Sequence, residues 1–196
     1  MTNEAPRYPR RIQCNNAEFE LRLMSAADAD AALAFAKLLP AHDLLFLQRD
    51  IRNPKVVGAW LEQIERGTIT SILAVAEGKI HGCAAIVRDA LSWSPHVSEM
   101  RIVVSQSARG GGLGRLLAQD AFAFAVSTGV EKLIARMTPD QRGAIAVFEE
   151  MGFRAEALLR DYVRDAEGTT HDIVILSLEV DRNRAQREAY GYNEAF

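Results

Sequence analysis

Positive charge is not in excess in this chain, which sets 23 lysines and arginines against 26 aspartates and glutamates, a formal net charge of −3. Nucleic-acid binders ordinarily carry a basic surplus, so nucleic acid is not an expected partner. Long apolar runs are missing too. No stretch reaches the length of about eighteen residues that a membrane-spanning helix requires, so no membrane partner is expected. The opening residues, MTNEAPRYPRR, have no hydrophobic centre of the secretory kind. Cysteine is scarce: Cys14 stands in a polar leader and Cys83 in an apolar run, which fits neither a metal-ligand spacing nor a disulfide framework. The expectation is a cytoplasmic protein without a metal ion. What is present is an ordinary globular balance, 48% hydrophobic and 25% charged over 196 residues, enough for one domain with a substantial core.

Residues 1–17 combine prolines and arginines without periodicity and are expected to form a flexible leader. EFELRLM (Glu18–Met24) alternates as a half-buried strand does, and Ser25 offers an N-cap to an alanine-rich helix over 26–39 that Pro40 ends. HDLLFLQRDIRN reads equally as a short helix or a loop. Pro54 opens a second helix that Gly67 stops. Three strands follow, TITSILAVAE, KIHGCAAIVRDA and HVSEMRIVVS, the first two joined by a hairpin at Glu77-Gly78-Lys79. A glycine cluster then opens a helix running to about Thr128. EKLIARMT is a strand, QRGAIAVFEEM a helix, and FRAEALLRDYVRD and THDIVILSLEV are two last strands around Glu167-Gly168. The order β-α-α-β-β-β-α-β-α-β-β predicts an α+β domain over residues 18–180. Its sheet has about seven strands, mostly antiparallel and mixed at one crossover, flanked by four helices. A polar C-terminal tail, 181–196, has no assigned fold; its Tyr190 and Tyr192 are read either as a partner-subunit contact or as a frayed end.

The cluster SARGGGLGRLLA (Ser107–Ala118) places four glycines in five positions where a helix begins, although glycine is a poor helix former. The backbone there is expected to approach something a side chain would block, and a phosphate is the obvious candidate. A Walker-type loop fails for want of a lysine. The dinucleotide fingerprint G-x-G-x-x-G fails because Arg115 and Leu117 stand where its third glycine belongs. What survives is R-x-x-G-x-G, formed by Arg109, Gly112 and Gly114, directly after the strand RIVVS.

In this pattern the chain resembles the GNAT superfamily of acyl-CoA-dependent N-acyltransferases, whose central motif is strand, Q/R-x-x-G-x-G/A, helix. A second family motif, N-x-x-A-x-x-L-Y-x-x-x-G-F, has its counterpart in QRGAIAVFEEMGF, where Ala144, Val147, Phe148, Gly152 and Phe153 fill the pattern. The resemblance covers roughly residues 18–180 and implies a three-layer fold. It also implies acetyl-CoA as cosubstrate, an amine acceptor (a small molecule or a protein amine) and, as often in the family, a homodimer. The loop residues Arg109, Gly110, Gly111, Gly112, Leu113, Gly114 and Arg115 would hold the diphosphate, with unpaired first-turn amides as donors and the two arginines adding charge. Ile102, Val103 and Val104 would pair through their main chain with the pantetheine arm in a gap between diverging strands. Gln141 replaces the family asparagine and would still offer an amide to that arm.

Three residues are candidates for proton transfer. Glu99 matches a position where many family members carry a glutamate, and burial among apolar neighbours would suit it to accept the proton of the attacking amine. The alternative is a solvent-face carboxylate paired with Arg101. His96 is a candidate because an imidazole is the side chain suited to proton transfer at working pH, although a strand-edge histidine is often surface decoration. Phe148 stands where the family usually has a tyrosine that protonates the leaving thiolate, and a phenyl ring cannot donate. Tyr162 is a candidate substitute or an ordinary amphipathic strand residue; His171 and Ser105 are weaker ones. Asp161, Asp165 and Asp172 make either an acidic rim for a cationic amine or a solvated hairpin. The leading expectation is an N-acetyltransferase acting by direct attack in a ternary complex, since no cysteine lies in either motif. The alternative is a non-catalytic acyl-CoA-binding sensor, and Phe148 is the feature that favours it.

Overall fold

A computed structural model of the chain describes residues 6–14 and 17–181. Eight strands form one sheet: β1 (Arg10–Cys14), β2 (Ala17–Leu23), β3 (Ile69–Ala76), β4 (Lys79–Val87), β5 (Val97–Val104), β6 (Lys132–Met137), β7 (Arg154–Arg164) and β8 (Thr170–Glu179). Their spatial order is β1-β2-β3-β4-β5-β6-β8-β7. Every neighbouring pair is antiparallel except β5 and β6. The parallel pair is joined by a helical crossover, as parallel strands require.

The helices are α1 (Ala29–Lys37), α2 (Pro54–Glu65), α3 (Leu113–Ser127) and α4 (Arg142–Glu150). Helices α3 and α4 pack on one face of the sheet, where Leu113, Leu117, Ala121 and Phe148 meet Met100, Leu133 and Phe153. Helices α1 and α2 cover the other face, with Phe35, Leu39 and Val57 against Leu73 and Cys83. Gly82 on β4 lets Leu117, fully buried, lie directly on the strand backbone: a Cβ there would stand 2.6 Å from Leu117 Cδ1. The predicted α+β class and element order are present, with one strand more than expected. No helix among the described residues is long and apolar enough to cross a membrane.

The additional strand corrects the reading of residues 1–17 as a leader. Arg10–Cys14 pairs in register with β2, from Arg10↔Leu21 to Cys14↔Ala17. Only Ile12 and Cys14 turn inward, so an edge strand held mainly by backbone pairing leaves little alternation to read. A second anchor lies just before it. Asp120, buried on α3, accepts a hydrogen bond from Tyr8 Oη at 2.5 Å and pairs with the Arg10 guanidinium. Burial, then the Asp120 carboxylate, push the Tyr8 phenol well above its ordinary range. Residues 1–5 and 15–16 lie outside the described residues, as does the predicted tail beyond Asp181.

The helix predicted over 26–39 starts instead as a 3-10 turn, Ala26–Asp28, and its α-helical part ends at Lys37. Asp28 governs that start. Its buried carboxylate accepts from the Ser25 N–H at 2.8 Å and from Arg22 Nη1 and Nη2 at 2.9 and 2.5 Å. The ambiguous segment HDLLFLQRDIRN contains a 3-10 stretch, His42–Leu47, that buries Leu44 and Phe46. Asn53 then caps α2, accepting from the Lys55 N–H at 3.0 Å.

Arg22 holds the Asp28 carboxyl below the usual carboxylate range, against the opposing effect of burial. A depressed folded pKa contributes stability that is complete above the unfolded value of about 4 and disappears as pH falls through the folded one. Asp28→Asn should therefore lower unfolding stability by about 1–3 kcal/mol at pH 7. The difference from the parent should shrink below about pH 4. Urea melts at pH 7 and pH 3 measure both effects.

Candidate functional site

The ladder between β5 and β6 runs only from Val97↔Lys132 to Met100↔Ala135. On its other edge β5 stays paired with β4 through Val104. Arg101–Val104 therefore turn an open edge toward β6, and a cleft of about 660 Å³ occupies the opening. At its top the chain passes from β5 through Gly110 and Gly112, both left-handed at φ 76° and 91°, into α3. A side chain at either position would be strained. Gly112 is the N-cap of α3 and supplies no side-chain bond. The intrahelical ladder starts with Leu116 N–H donating to Gly112 O, which leaves the Leu113, Gly114 and Arg115 N–H groups outside it. Space in front of this turn is open: a Cβ on Gly110 meets nothing within 4 Å, and one on Gly114 only grazes Val104 at 3.6 Å. Unpaired amides at the positive end of a fifteen-residue helix suit an anion.

Among the predicted cofactor residues, Ile102, Val103, Val104, Arg109, Gly110, Gly112, Leu113, Gly114, Arg115, Gln141 and Phe148 all border the cleft. Gly111 does not; its carbonyl accepts from Cys14 Sγ at 2.8 Å, which ties β1 to the loop. The two arginines expected to add charge are already engaged. Arg109 pairs with Asp43 at 2.7 Å and donates to Val104 O, and Arg115 pairs with Glu150 on α4. The anion-binding character of the turn thus rests first on amides and the helix dipole. Gln141 accepts from the Thr138 N–H at 3.2 Å. Phe148 is buried, edge-on to Phe153 at 5.0 Å.

Glu99 is 8% exposed and lies where the two strands part, although it does not itself border the cleft, whereas its neighbours Met100 and Arg136 do. Its surroundings are not the apolar ones expected, nor does it sit on a solvent face. Arg101 Nε and Nη2 donate to its two oxygens at 3.0 and 2.9 Å, and Arg136 Nη1 stands 3.6 Å from Oε2. Met100 belongs to the core under α3 and α4, so strand alternation sends Glu99 and Arg101 to the opposite face. His96 and Tyr162 are not brought to the cleft. His96 is exposed at the start of β5, six residues or about 20 Å of strand from Ile102. Tyr162 is 52% exposed on the edge strand β7. The aspartates of the last hairpin serve the hairpin itself: Asp161 accepts from Thr170, Asp172 from the Asp161 N–H, and Asp165 from His171 at 2.7 Å.

Several residues at the cleft were not singled out from the sequence. The 3-10 stretch His42–Leu47 lies across its mouth, tied by Asp43 to Arg109 and by His42 Nε2 to Asp140 at 2.8 Å. His42 also meets His171 edge-on at 5.1 Å. Arg136 shares a half-buried face of EKLIARMT with Lys132 and Ile134, opposite Leu133, Ala135 and Met137, which is the signal that strand alternation offered.

Against known proteins, residues 41–153 match the family model described as Acetyltransferase (GNAT) family. The curated Bacillus subtilis (strain 168) protein "Putative phosphinothricin acetyltransferase YwnH" is 30% identical over 83 residues, 42% of this chain and 50% of that protein. The chain thus spans half the length of that relative. A ribosomal-protein-alanine N-acetyltransferase from Brucella melitensis superposes with a TM-score of 0.69 at 24% identity, covering 81% of this chain and 98% of the other. The "putative acetyltransferase" yncA from Salmonella typhimurium, solved with its cofactor acetyl-CoA, gives 0.70 at 20% identity over 84% and 95%. At these identities the two structural likenesses are likenesses of fold.

Cys14 and Cys83 are free and buried, and burial raises both thiols, Cys83 to about 12. Neither should react within minutes with an aromatic disulfide reagent at pH 8, whereas the denatured chain should titrate both. Absorbance before and after denaturant is the readout.

Proposed function

The chain belongs to the GNAT acetyltransferase family, and from that premise we propose that it moves an acetyl or similarly short acyl group from acetyl-CoA to a primary amine. Attack is direct, within a ternary complex. The observation that carries the reading is the open edge of β5 beside the uncapped start of α3. A strand-like pantetheine arm needs main-chain partners, and Ile102 and Val103 have a side that pairs with no strand, while Val104 O already accepts from Arg109. A diphosphate needs converging donors, and the amides of Leu113, Gly114 and Arg115 provide them without Cβ obstruction from the neighbouring glycines. The names of the relatives, a phosphinothricin acetyltransferase and a ribosomal-protein-alanine N-acetyltransferase, support an amine as acceptor.

The amine must lose a proton as it attacks the thioester carbonyl, and Glu99 is the carboxylate we assign to accept it, through water. Arg101 fixes that carboxylate from two directions, which sets its orientation. The thiolate departs without a phenol: Phe148 fills the usual donor position, and Tyr162 stands outside the cleft. A second reading is favoured by those same features, namely a domain that binds acyl-CoA without turnover.

Free-thiol release from acetyl-CoA with a panel of amines separates the two readings. Turnover is expected in the native protein, and Glu99→Gln should reduce kcat about 10²–10⁴-fold at neutral pH. Coenzyme binding without thiol release from any amine would favour the sensor. Gly112→Val places a side chain at φ 91° and should weaken coenzyme A binding at least about tenfold by calorimetry. No heat of binding in the native protein would overturn both readings.

A further inference from the structure

We propose that the N-terminal segment 8–14 is a brace for the coenzyme turn, and that Tyr8, Arg10 and Cys14 are positioning residues. They lie outside the cleft and hold the glycine turn and the start of α3 in the geometry that receives the diphosphate. The proposal rests on the coenzyme-binding reading and adds a coupling between that site and the β1 edge of the sheet.

The brace grips at two points, one on each side of the helix amides. Before them, Cys14 Sγ donates to Gly111 O at 2.8 Å and stands 3.9 Å from the position a Gly112 Cβ would take. After them, about two helical turns along α3, buried Asp120 accepts from Tyr8 Oη and pairs with Arg10. The spans match. Arg10 to Cys14 covers about 13 Å of strand, and Gly112 to Asp120 about 12 Å of helix. Strand and helix start are thus tied at both ends of a common length, with the Leu113, Gly114 and Arg115 N–H groups between the ties.

Gly110, Gly111 and Gly112 are consecutive residues without side chains. Glycine loses more conformational freedom than any other residue on being fixed, so a turn made of three of them is unfavourable to order. A turn ordered by its ligand subtracts that term from the affinity, whereas one held beforehand does not. Cys14 supplies from β1 the side-chain contact that the turn itself lacks. It is buried, and Tyr8 and Ile12 pack against the same core as α3. The β1–β2 ladder fixes the brace in the sheet. Arg11, on the alternate side of the strand, is exposed and pairs with Glu18. The segment also lies outside residues 41–153, the stretch that matches the family model, so the coupling is read from this chain's own contacts.

The test titrates coenzyme A calorimetrically into the full chain and its variants, at a temperature where thermal melts show each to be folded. Cys14→Ala should weaken binding about fivefold, the loss of one hydrogen bond read as affinity. Cys14→Ser keeps a donor and should recover most of that loss. Tyr8→Phe should weaken binding in the same direction, whereas Arg11→Ala should leave it unchanged. Coupling is reciprocal, so saturating coenzyme should slow hydrogen exchange across Arg10–Cys14 in the native chain. The exchange measurement needs no variant and decides by itself where Cys14→Ala fails to fold. Native affinity in both Cys14→Ala and Tyr8→Phe overturns the inference even where their melting temperatures fall, because a purely structural tie lowers stability alone. So does exchange at β1 that ignores the coenzyme, or a loss in Arg11→Ala as large as in Cys14→Ala. No heat of binding in the native chain strikes the coenzyme reading itself, and the brace with it.

Discussion

The arrangement depends on one interruption: after Met100 and Ala135 the β5–β6 ladder stops while β5 keeps its other neighbour. An interior strand with an unpaired edge leaves main-chain donors and acceptors without partners, a condition folded proteins rarely tolerate. Here it is tolerated because the edge faces an open cleft. The parallel register makes the opening useful, since both strands end toward the same side, and the chain leaving β5 must turn there to begin its crossover helix. Strand ends, the helix start and the glycine turn are thus brought together by topology. That is the general reason ligands collect at the carboxyl ends of parallel strands.

Around that opening, charge is organised in pairs that span separate elements. Arg109 and Asp43 join the glycine turn to the 3-10 stretch, Arg115 and Glu150 join α3 to α4, and His42 and Asp140 join that stretch to the end of β6. These pairs are partly exposed, and pairs of that kind contribute little to stability. Their effect is positional. They hold three segments of the chain over one cleft. Asp120 differs: it is buried, and Tyr8 and Arg10 both attend it, so it secures the N-terminal segment to α3 at real cost if lost.

Much of this was legible in advance, for identifiable reasons. The strand RIVVS, the glycine run and the helix after it announce themselves because each local preference agrees with the next. The helix over 54–65 had a proline start and a glycine stop, and the helix over 142–150 a glycine stop. Residues 10–14 were missed because an edge strand with exposed arginines turns only Ile12 and Cys14 inward, and its anchor, Asp120, lies 110 positions away from Arg10. The 3-10 stretch 42–47 has too short a period to register, yet it supplies Asp43, Leu44 and Phe46 to the cleft. Glu99 was found by its place in a motif and its pairing with Arg101 was among the readings, but neither the apolar nor the solvent-face setting holds. Arg101 is two residues away on the same face, and Arg136 comes from a neighbouring strand whose register no local rule provides. His96 was chosen for its chemistry and Tyr162 for its phenol and its place beside the last hairpin, and neither borders the cleft.

The charge at the two ends of the cleft bears on how an amine becomes a nucleophile there. At one end, amides and a helix dipole favour the negative diphosphate; at the other, Arg136 has donors to spare. Asp43 and Asp140, which border the cleft, are paired with Arg109 and His42, and Arg101 holds both oxygens of Glu99 beside the parting strands. An amine brought beside these guanidiniums would meet like charge, which favours the neutral form of an amine, the form with a lone pair.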